Sequence, residues 1–430
     1  MSSVLFAAQV IFWGLLMFSL IVVIHEAGHF VTARAFGVRV SEFMLGLPGP
    51  SIGFKFKGTR FGITPILLGG YAMVAGMEGG KENPNLAQAA AYLYPRGTMR
   101  LHEVREASEQ LGFDFEEALD VLHIWGTVKR TKLKDGDHEY ATQETATFAL
   151  GEARTLDSPA SFIDCERKQT YRGLSWFKRI VVLAGGVAFN LIFAILVFSS
   201  IMLWQGNQQP ITTIESVVEG SPAAVAGIQS GDVIQSLDGE EIESWEEFVT
   251  MMQPLAPNQT IEIGYSRDGV SKLAAITLVE SEGRAVIGVT AAVVRVPISV
   301  LDAMGASLGF IAMVATAILQ LFNPATFNDV ISQSASVVGV SFEAQRAASA
   351  GFIPFIVLCA ALSISIGLMN LLPIPPLDGG KIVVETIEKI TKRVIPPRVI
   401  NGISVAAMVL LVMLFLFVTN QDINRYILGS

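Results

Sequence analysis

Two cysteines in 430 residues, Cys165 in a charged stretch and Cys359 in an apolar run, leave no disulfide framework and no cysteine zinc ribbon. Any metal would need histidine and carboxylate ligands. Charge is scarce as well: 16% of the residues are charged, where soluble chains carry about 25%. The apolar share, with glycine counted and tyrosine not, is about 58%, against about 45–50% in globular chains. An ordinary soluble protein is disfavoured, and so is disorder, which needs low hydropathy and high net charge. Positive charge is not in excess, since the net charge is −9 and the pI near 5.2, so no nucleic-acid partner is expected. The surplus apolar residues belong in a lipid bilayer.

Val4 to Ile24 is a run of 21 residues without a charge. At 1.5 Å per residue it reaches about 31 Å, enough to cross the hydrocarbon core. A signal peptide is the competing reading, but there is no basic leader, the run is too long and no A-x-A site follows. Ile180 to Trp204, Gly351 to Leu372 and Val399 to Val418 supply three further spans. Ala303 to Phe322 is apolar but rich in small residues and carries Gln320, and it fits an interfacial or buried helix as well as a span. The expected count is four, because a fifth crossing would disturb the charge balance. Residues 37–179 hold 18 of the 30 Lys and Arg and are expected in the cytoplasm. The third-to-fourth connection, with Lys381, Lys389, Lys392, Arg393 and Arg398, is expected there too, which puts both termini and residues 205–350 outside.

From 208 to 296 charges return, and short β-branched runs alternate with turn signals. Gly220-Ser221-Pro222-Ala223-Ala224, Gly231-Asp232-Val233-Ile234 and Leu237-Asp238-Gly239 resemble a PDZ domain of the bacterial protease type. Ala223 to Ala226 open a short helix in that reading, Asp232 begins a strand, and Asp238-Gly239 makes a hairpin turn. A PDZ groove takes an extended peptide by strand addition, and Val286-Ile287-Gly288-Val289 is the best candidate for its edge. In the 77–170 insert, Leu101 to Leu111 and Phe115 to Leu122 have helical apolar spacing, and a hairpin turns at Lys134-Asp135-Gly136-Asp137. A winged-helix shape is imaginable there, but the mixed local charge argues against DNA. His102, His123 and His138 of the insert have no metal spacing.

Chemistry is concentrated at His25-Glu26-Ala27-Gly28-His29, at the inner end of the first span. Helical residues four apart share a face, so two imidazoles can bind one Zn²⁺ with Glu26 beside the water that the metal activates. A pair of core histidines is the bland alternative, and it leaves a Glu and two His beside an apolar span unexplained. Catalytic zinc takes three protein ligands, so a third must come from elsewhere. Asn370-Leu371-Leu372-Pro373-Ile374-Pro375-Pro376-Leu377-Asp378-Gly379-Gly380 follows the third span, and Asp378 is the only acidic residue from Phe352 to Val384. A proline-glycine turn with an incidental Asp is the alternative.

With these motifs the chain resembles the site-2 protease family of intramembrane zinc metalloproteases, in its bacterial regulator-of-sigma-factor branch with one PDZ domain. His25, Glu26 and His29 match H-E-x-x-H, and Asn370 to Gly380 matches N-x-x-P-x-P-x-L-D-G-G. The resemblance implies Asp378 as the third zinc ligand and Glu26 as general base. Gly46 to Gly76, with Leu68-Gly69-Gly70-Tyr71, looks like the family's re-entrant β-segment, and Trp176 to Asn190 like its second-span signature. It further implies that residues 51–73, among them Gly69, Gly70 and Tyr71, pair with an unwound substrate strand while Asn370 holds that strand's backbone. Substrates would be single-span membrane proteins, such as anti-sigma factors or remnant signal peptides. Gly186 in place of a usual proline, the long insert and the missing G-P turn near Ser334 to Val340 depart from the pattern.

The expected fold is a polytopic α-helical membrane protein with about four transmembrane helices, a re-entrant membrane β-segment and an extracytoplasmic PDZ domain. Its parts are the first span with motif and β-segment (1–76), the cytoplasmic insert (77–170), the second span (171–207), the PDZ domain (208–296), an amphipathic or buried helical linker (297–350) and the last two spans (351–430). A transporter would show further paired charges in the membrane and an internal repeat, and a PDZ scaffold would leave H-E-x-x-H without a purpose.

Overall fold

The computed structural model describes residues 3–67, 69–77, 83–145, 147–281 and 284–423. Leu68 of the proposed β-segment lies outside them. By chain contacts the molecule divides into one unit of residues 1–197 with 307–430 and a second of 198–306.

The first unit begins with α1 (Ser3–Ala35), so the first apolar run and the histidine motif form one continuous helix. Strands β1 (Val40–Leu45), β2 (Ile52–Phe56), β3 (Thr59–Ile63) and β4 (Gly70–Val74) follow, in the sheet order β2-β3-β1-β4. The β-segment is therefore wider than expected, because β1 lies at its centre and pairs parallel with β3 and antiparallel with β4. Lys57 and Gly58 both have positive φ and make the tight β2–β3 turn. Strand β4 is an edge of the sheet.

The insert comprises α2 (Leu86–Leu93), β5 (Thr98–Arg100), α3 (Leu101–Leu111), α4 (Phe115–Ile124), β6 (Val128–Lys132), β7 (His138–Thr142) and α5 (Pro159–Lys168). The strand order β5-β7-β6 behind three helices is winged-helix topology, closed over buried Tyr94, Phe115, Leu119, Leu122 and Tyr140. Asp114 caps α4 by accepting from the Glu117 amide, and Gly112 ends α3 at φ +74°. The helix that would enter a DNA groove in such a fold, α4, carries Glu116, Glu117 and Asp120. Arg39 fastens the insert to β1: it donates to the Trp125 carbonyl at 3.0 Å and pairs with Glu166 at 2.8 Å.

Helix α6 (Trp176–Gln205) leads into the second unit, which holds β8 (Asn207–Val217), α7 (Pro222–Val225), β9 (Val233–Leu237), β10 (Glu240–Glu241), α8 (Trp245–Met252), β11 (Thr260–Arg267), β12 (Val270–Thr277), β13 (Val279–Ser281), β14 (Arg284–Val286) and β15 (Val289–Val296). The short helix, the strand after Asp232 and the Asp238-Gly239 turn stand where the sequence puts them. The main sheet runs β12-β11-β9-β8-β15 around Ile214, Ile234, Leu237 and Ile263. Arg267 bridges β11 to the buried Asp232 with two hydrogen bonds of 2.7 Å.

The chain closes with α9 (Val300–Gln320), α10 (Phe327–Gln333), α11 (Val337–Ala350), α12 (Phe352–Asn370), α13 (Asp378–Thr391) and α14 (Pro397–Ile423). Among the described residues five helices are long and apolar enough to cross a membrane, α9 included. On α9, Leu301, Met313 and Leu319 are exposed, while Ala303 and Ser307 are buried. Small residues set the helix crossings. A Cβ on Gly28 would lie 2.1 Å from the Gly185 carbonyl oxygen, and one on Gly14 would lie 2.2 Å from the Ser341 hydroxyl. Backbone contact of this kind is how apolar helices associate where no hydrophobic force separates them from lipid.

Candidate metal centre

Three elements distant in sequence meet at the α1–α6 crossing. The Nε2 atoms of His25 and His29 are 3.2 Å apart, and Asp378 Oδ2 lies 3.0 Å from the first and 3.1 Å from the second. All three residues are buried. A tetrahedral zinc with bonds of about 2.0–2.1 Å sets its donors about 3.3 Å apart, so two imidazole nitrogens and one carboxylate oxygen at these separations fit it. Among the described residues this is the one group of three His, Cys, Asp or Glu side chains close enough to hold a metal ion.

Each member is held by its own element. The helix puts His25 and His29 on one face, as their spacing requires. His29 Nδ1 donates to the Val182 carbonyl of α6 at 2.8 Å, which leaves its Nε2 lone pair for a metal. Asp378 opens α13 after the proline turn. That turn closes tightly, since a Cβ on Gly379 would lie 2.1 Å from the Leu371 carbonyl oxygen and one on Gly380 2.2 Å from the Pro375 nitrogen. Lys381 Nζ is 3.3 Å from Asp378 Oδ1, leaving Oδ2 for the histidines. An Arg179–Glu385 ion pair of 2.7 Å ties α13 to the start of α6.

Glu26 points to the edge strand: its Oε2 accepts from the Ala72 amide at 3.0 Å. The carbonyl of Gly69 accepts from Gly46 on the other side, so alternation along β4 turns Gly70 and Ala72 outward, away from β1. A cavity of about 830 Å³ contains His25, Glu26, His29 and Asp378 and is also lined by Asn370 and by His123 of the insert.

The chain matches the model of peptidase family M50 over residues 13–414. It belongs to that family. Membership bears out the resemblance read from H-E-x-x-H and the proline turn: this is a metalloendopeptidase of the site-2 type with Zn²⁺ as cofactor. A putative zinc metalloprotease of Lactococcus lactis subsp. lactis is 28% identical over 96% of this chain and 97% of its own. The zinc metalloprotease RasP of Oceanobacillus iheyensis is 27% identical over 96% and 98%. The solved PDZ domain of the SdrC-like protein from Listeria monocytogenes is similar at 26% identity over 20% of this chain and 90% of its own, with a TM-score of 0.18.

The other expected site residues fare unequally. Asn370 lines the cavity, but its Nδ2 donates to the Ile366 carbonyl of its own helix at 3.0 Å. Gly69 takes φ +92° at the entrance to β4, and the Tyr71 hydroxyl donates to Glu42 at 2.8 Å, within the sheet. The proposed PDZ edge is partly engaged within its own domain. Ile287 is buried, its carbonyl accepts from the Ala223 amide, the Gly288 carbonyl accepts from Val218, and Val289 pairs with Val217. Val286 ends β14 and Val289 opens β15, and both strands are sheet edges.

Two participants escaped the sequence reading, and a third stood there only as a departure from the family pattern. Ala72 and Val182 act through the backbone, which leaves no side-chain signal. Gly186 sits so close that a Cβ there would lie 2.6 Å from His29 Nε2 and 2.7 Å from His25 Nε2. The Gly185-Gly186 pair inside an apolar span was its signal.

Proposed function

We propose that the chain cleaves single-span membrane proteins, anti-sigma factors or remnant signal peptides among them, within their transmembrane segments in regulated intramembrane proteolysis, using His25, His29 and Asp378 to hold zinc and Glu26 as base. The observation that carries this is the Ala72–Glu26 hydrogen bond, which joins an edge strand to the carboxylate of H-E-x-x-H. A helical substrate hides its peptide bonds in its own hydrogen bonds and must be unwound to be cut. An unwound segment needs new backbone partners in the membrane, and the outward face of β4 at Gly70 supplies them as strand addition. Asn370 would hold the segment from the other side after turning its amide from Ile366. Bound zinc would polarise the scissile carbonyl and activate water. Glu26 would accept the proton of the attacking water and return it to the leaving amine, with the Ala72 N–H holding the carboxylate in place.

Four crossings, by α1, α6, α12 and α14, are supported by one contact. Ile400 and Ser404 of α14 line the cavity that holds His25 and Asp378. At the far end of that helix, about 27 Å further on at 1.5 Å per residue, Asp422 accepts from the Ser336 amide at 2.6 Å. Residue 336 thus lies on the side where α14 ends, which fits an α9 that stays on that side. With the Lys and Arg distribution, this supports the reading in which both termini and 208–296 lie outside the cell and the insert inside. In this reading the PDZ-like domain screens substrates before they reach the membrane site.

The test is Glu26→Gln in the full chain. The amide is nearly isosteric but cannot take the proton, so zinc content should be unchanged and cleavage of a single-span substrate lost. Activity within about tenfold of wild type would defeat the assignment, since acid–base catalysis is typically worth about 10²–10⁴.

A further inference from the structure

His29 and His25 are served differently by α6. The Val182 carbonyl can only accept, so it fixes the proton of His29 on Nδ1. His25 Nδ1 instead faces a side-chain amide: Asn190 Nδ2 lies 3.4 Å away. Asn190 is fully buried, and its Oδ1 has no hydrogen-bond partner among the described residues. An orphaned buried carbonyl oxygen is costly and calls for a reason.

The reason follows from the two tautomers of His25. With the proton on Nε2, His25 donates to Asp378 Oδ2 at 3.0 Å, and Nδ1 accepts from Asn190 Nδ2. For Nε2 to offer its lone pair to a metal, the proton must sit on Nδ1, which then needs an acceptor. A half-turn of the Asn190 amide brings Oδ1 to that position, because the two ends of the amide are nearly equal in shape. By turning, one side-chain amide can serve either tautomer, as donor through Nδ2 or as acceptor through Oδ1. The backbone around it is fixed for this use: Ser363 Oγ donates to the Asn190 carbonyl at 3.1 Å, and Gly367 leaves only 3.1 Å between its own would-be Cβ and Asn190 Cβ.

We propose that Asn190 is the positioning residue of the metal centre, turning its amide to hold His25 with Nε2 toward the metal. The inference rests on the reading of His25, His29 and Asp378 as zinc ligands. It is tested by titrating the detergent-solubilised full chain with zinc in a chelator buffer. Asn190→Leu keeps the branching at Cγ and removes the acceptor, and its zinc dissociation constant should rise about 10–100-fold. Asn190→Asp restores an acceptor and should bind zinc at least as tightly as wild type, a rescue that a purely structural role would not give. Should Asn190→Leu fail to accumulate, Asn190→Ala is compared with Asn190→Asp in the same way. Leu or Ala within twofold of wild type, or Asp no better than they are, overturns the proposal. A wild-type chain that binds no zinc, or His25→Ala that binds as wild type does, overturns instead the ligand reading beneath it.

Discussion

His25 Nε2 and Asp378 Oδ2 lie 3.0 Å apart across 353 residues of sequence. Only the proline turn after α12 brings them together, and its two glycines leave no room for a side chain. The consequence for metal binding is direct. Asp378→Ala should lose most of the zinc that the wild type retains through purification, because two imidazoles alone make a weak site. Metal analysis of the purified variant checks this, and full occupancy would remove Asp378 from the ligand set.

Gly186→Ala should be far more damaging than its size suggests. The added carbon would stand 2.6 Å from His29 Nε2, forcing the imidazoles apart, whereas a Cβ on Gly305 or Gly402 meets nothing within 4 Å. We expect Gly186→Ala to lower zinc affinity and cleavage by about tenfold, the effect of about 1.4 kcal/mol of overpacking. Gly305→Ala should leave both within twofold. Equal behaviour of the two variants would show that the Gly186 contact relaxes without cost.

The 208–296 domain carries its own pH dependence. Two hydrogen bonds from Arg267, and a third from the Gln229 amide, hold the Asp232 carboxyl below the usual carboxylate range, against the opposing effect of burial. A folded-state value below the unfolded one means the pair stabilises above the unfolded pKa of about 3.9 and stops doing so as pH falls through the folded value. Hydrogen exchange of β9 and β11 in the full chain, corrected for intrinsic rates, should show protection at pH 6 that Asp232→Asn lacks. The gap between the two proteins should shrink toward pH 3. A gap of constant size would mean that the ion pair does not set the domain's acid sensitivity.

The expected topology can be read with two thiols. Cys165 of α5 is exposed and Cys359 is buried, so the native chain offers one accessible thiol among the described residues, in the insert. An impermeant maleimide applied to intact cells should label Ser271→Cys, at an exposed position in β12, and reach Cys165 only after the membrane is opened. Labelling of Cys165 in intact wild-type cells would invert the arrangement.

What was legible in the sequence was local or periodic. The spacing of His25, Glu26 and His29 fixes their common face because a helix repeats every 3.6 residues. Uncharged runs of 20 residues or more declare membrane spans because lipid tolerates nothing else. Turn chemistry announced the Asp238-Gly239 hairpin, and apolar spacing the α3 and α4 helices of the insert. Contacts between distant elements were not legible. That Gly185 and Gly186 press against α1, that the Ala72 amide reaches Glu26, and that Ser336 returns to Asp422 all depend on backbone atoms and small residues, which look alike everywhere in a sequence. Which carbonyls of Val286 to Val289 are already bonded is hidden for the same reason: period and composition do not record it. The sequence by itself determined the metal-binding residue types and the membrane setting, because both follow from side-chain chemistry. Only the tertiary structure decided which tautomer of each histidine has a partner, which strand edge meets the base and which groups are spent, because each is a matter of where a hydrogen bond ends.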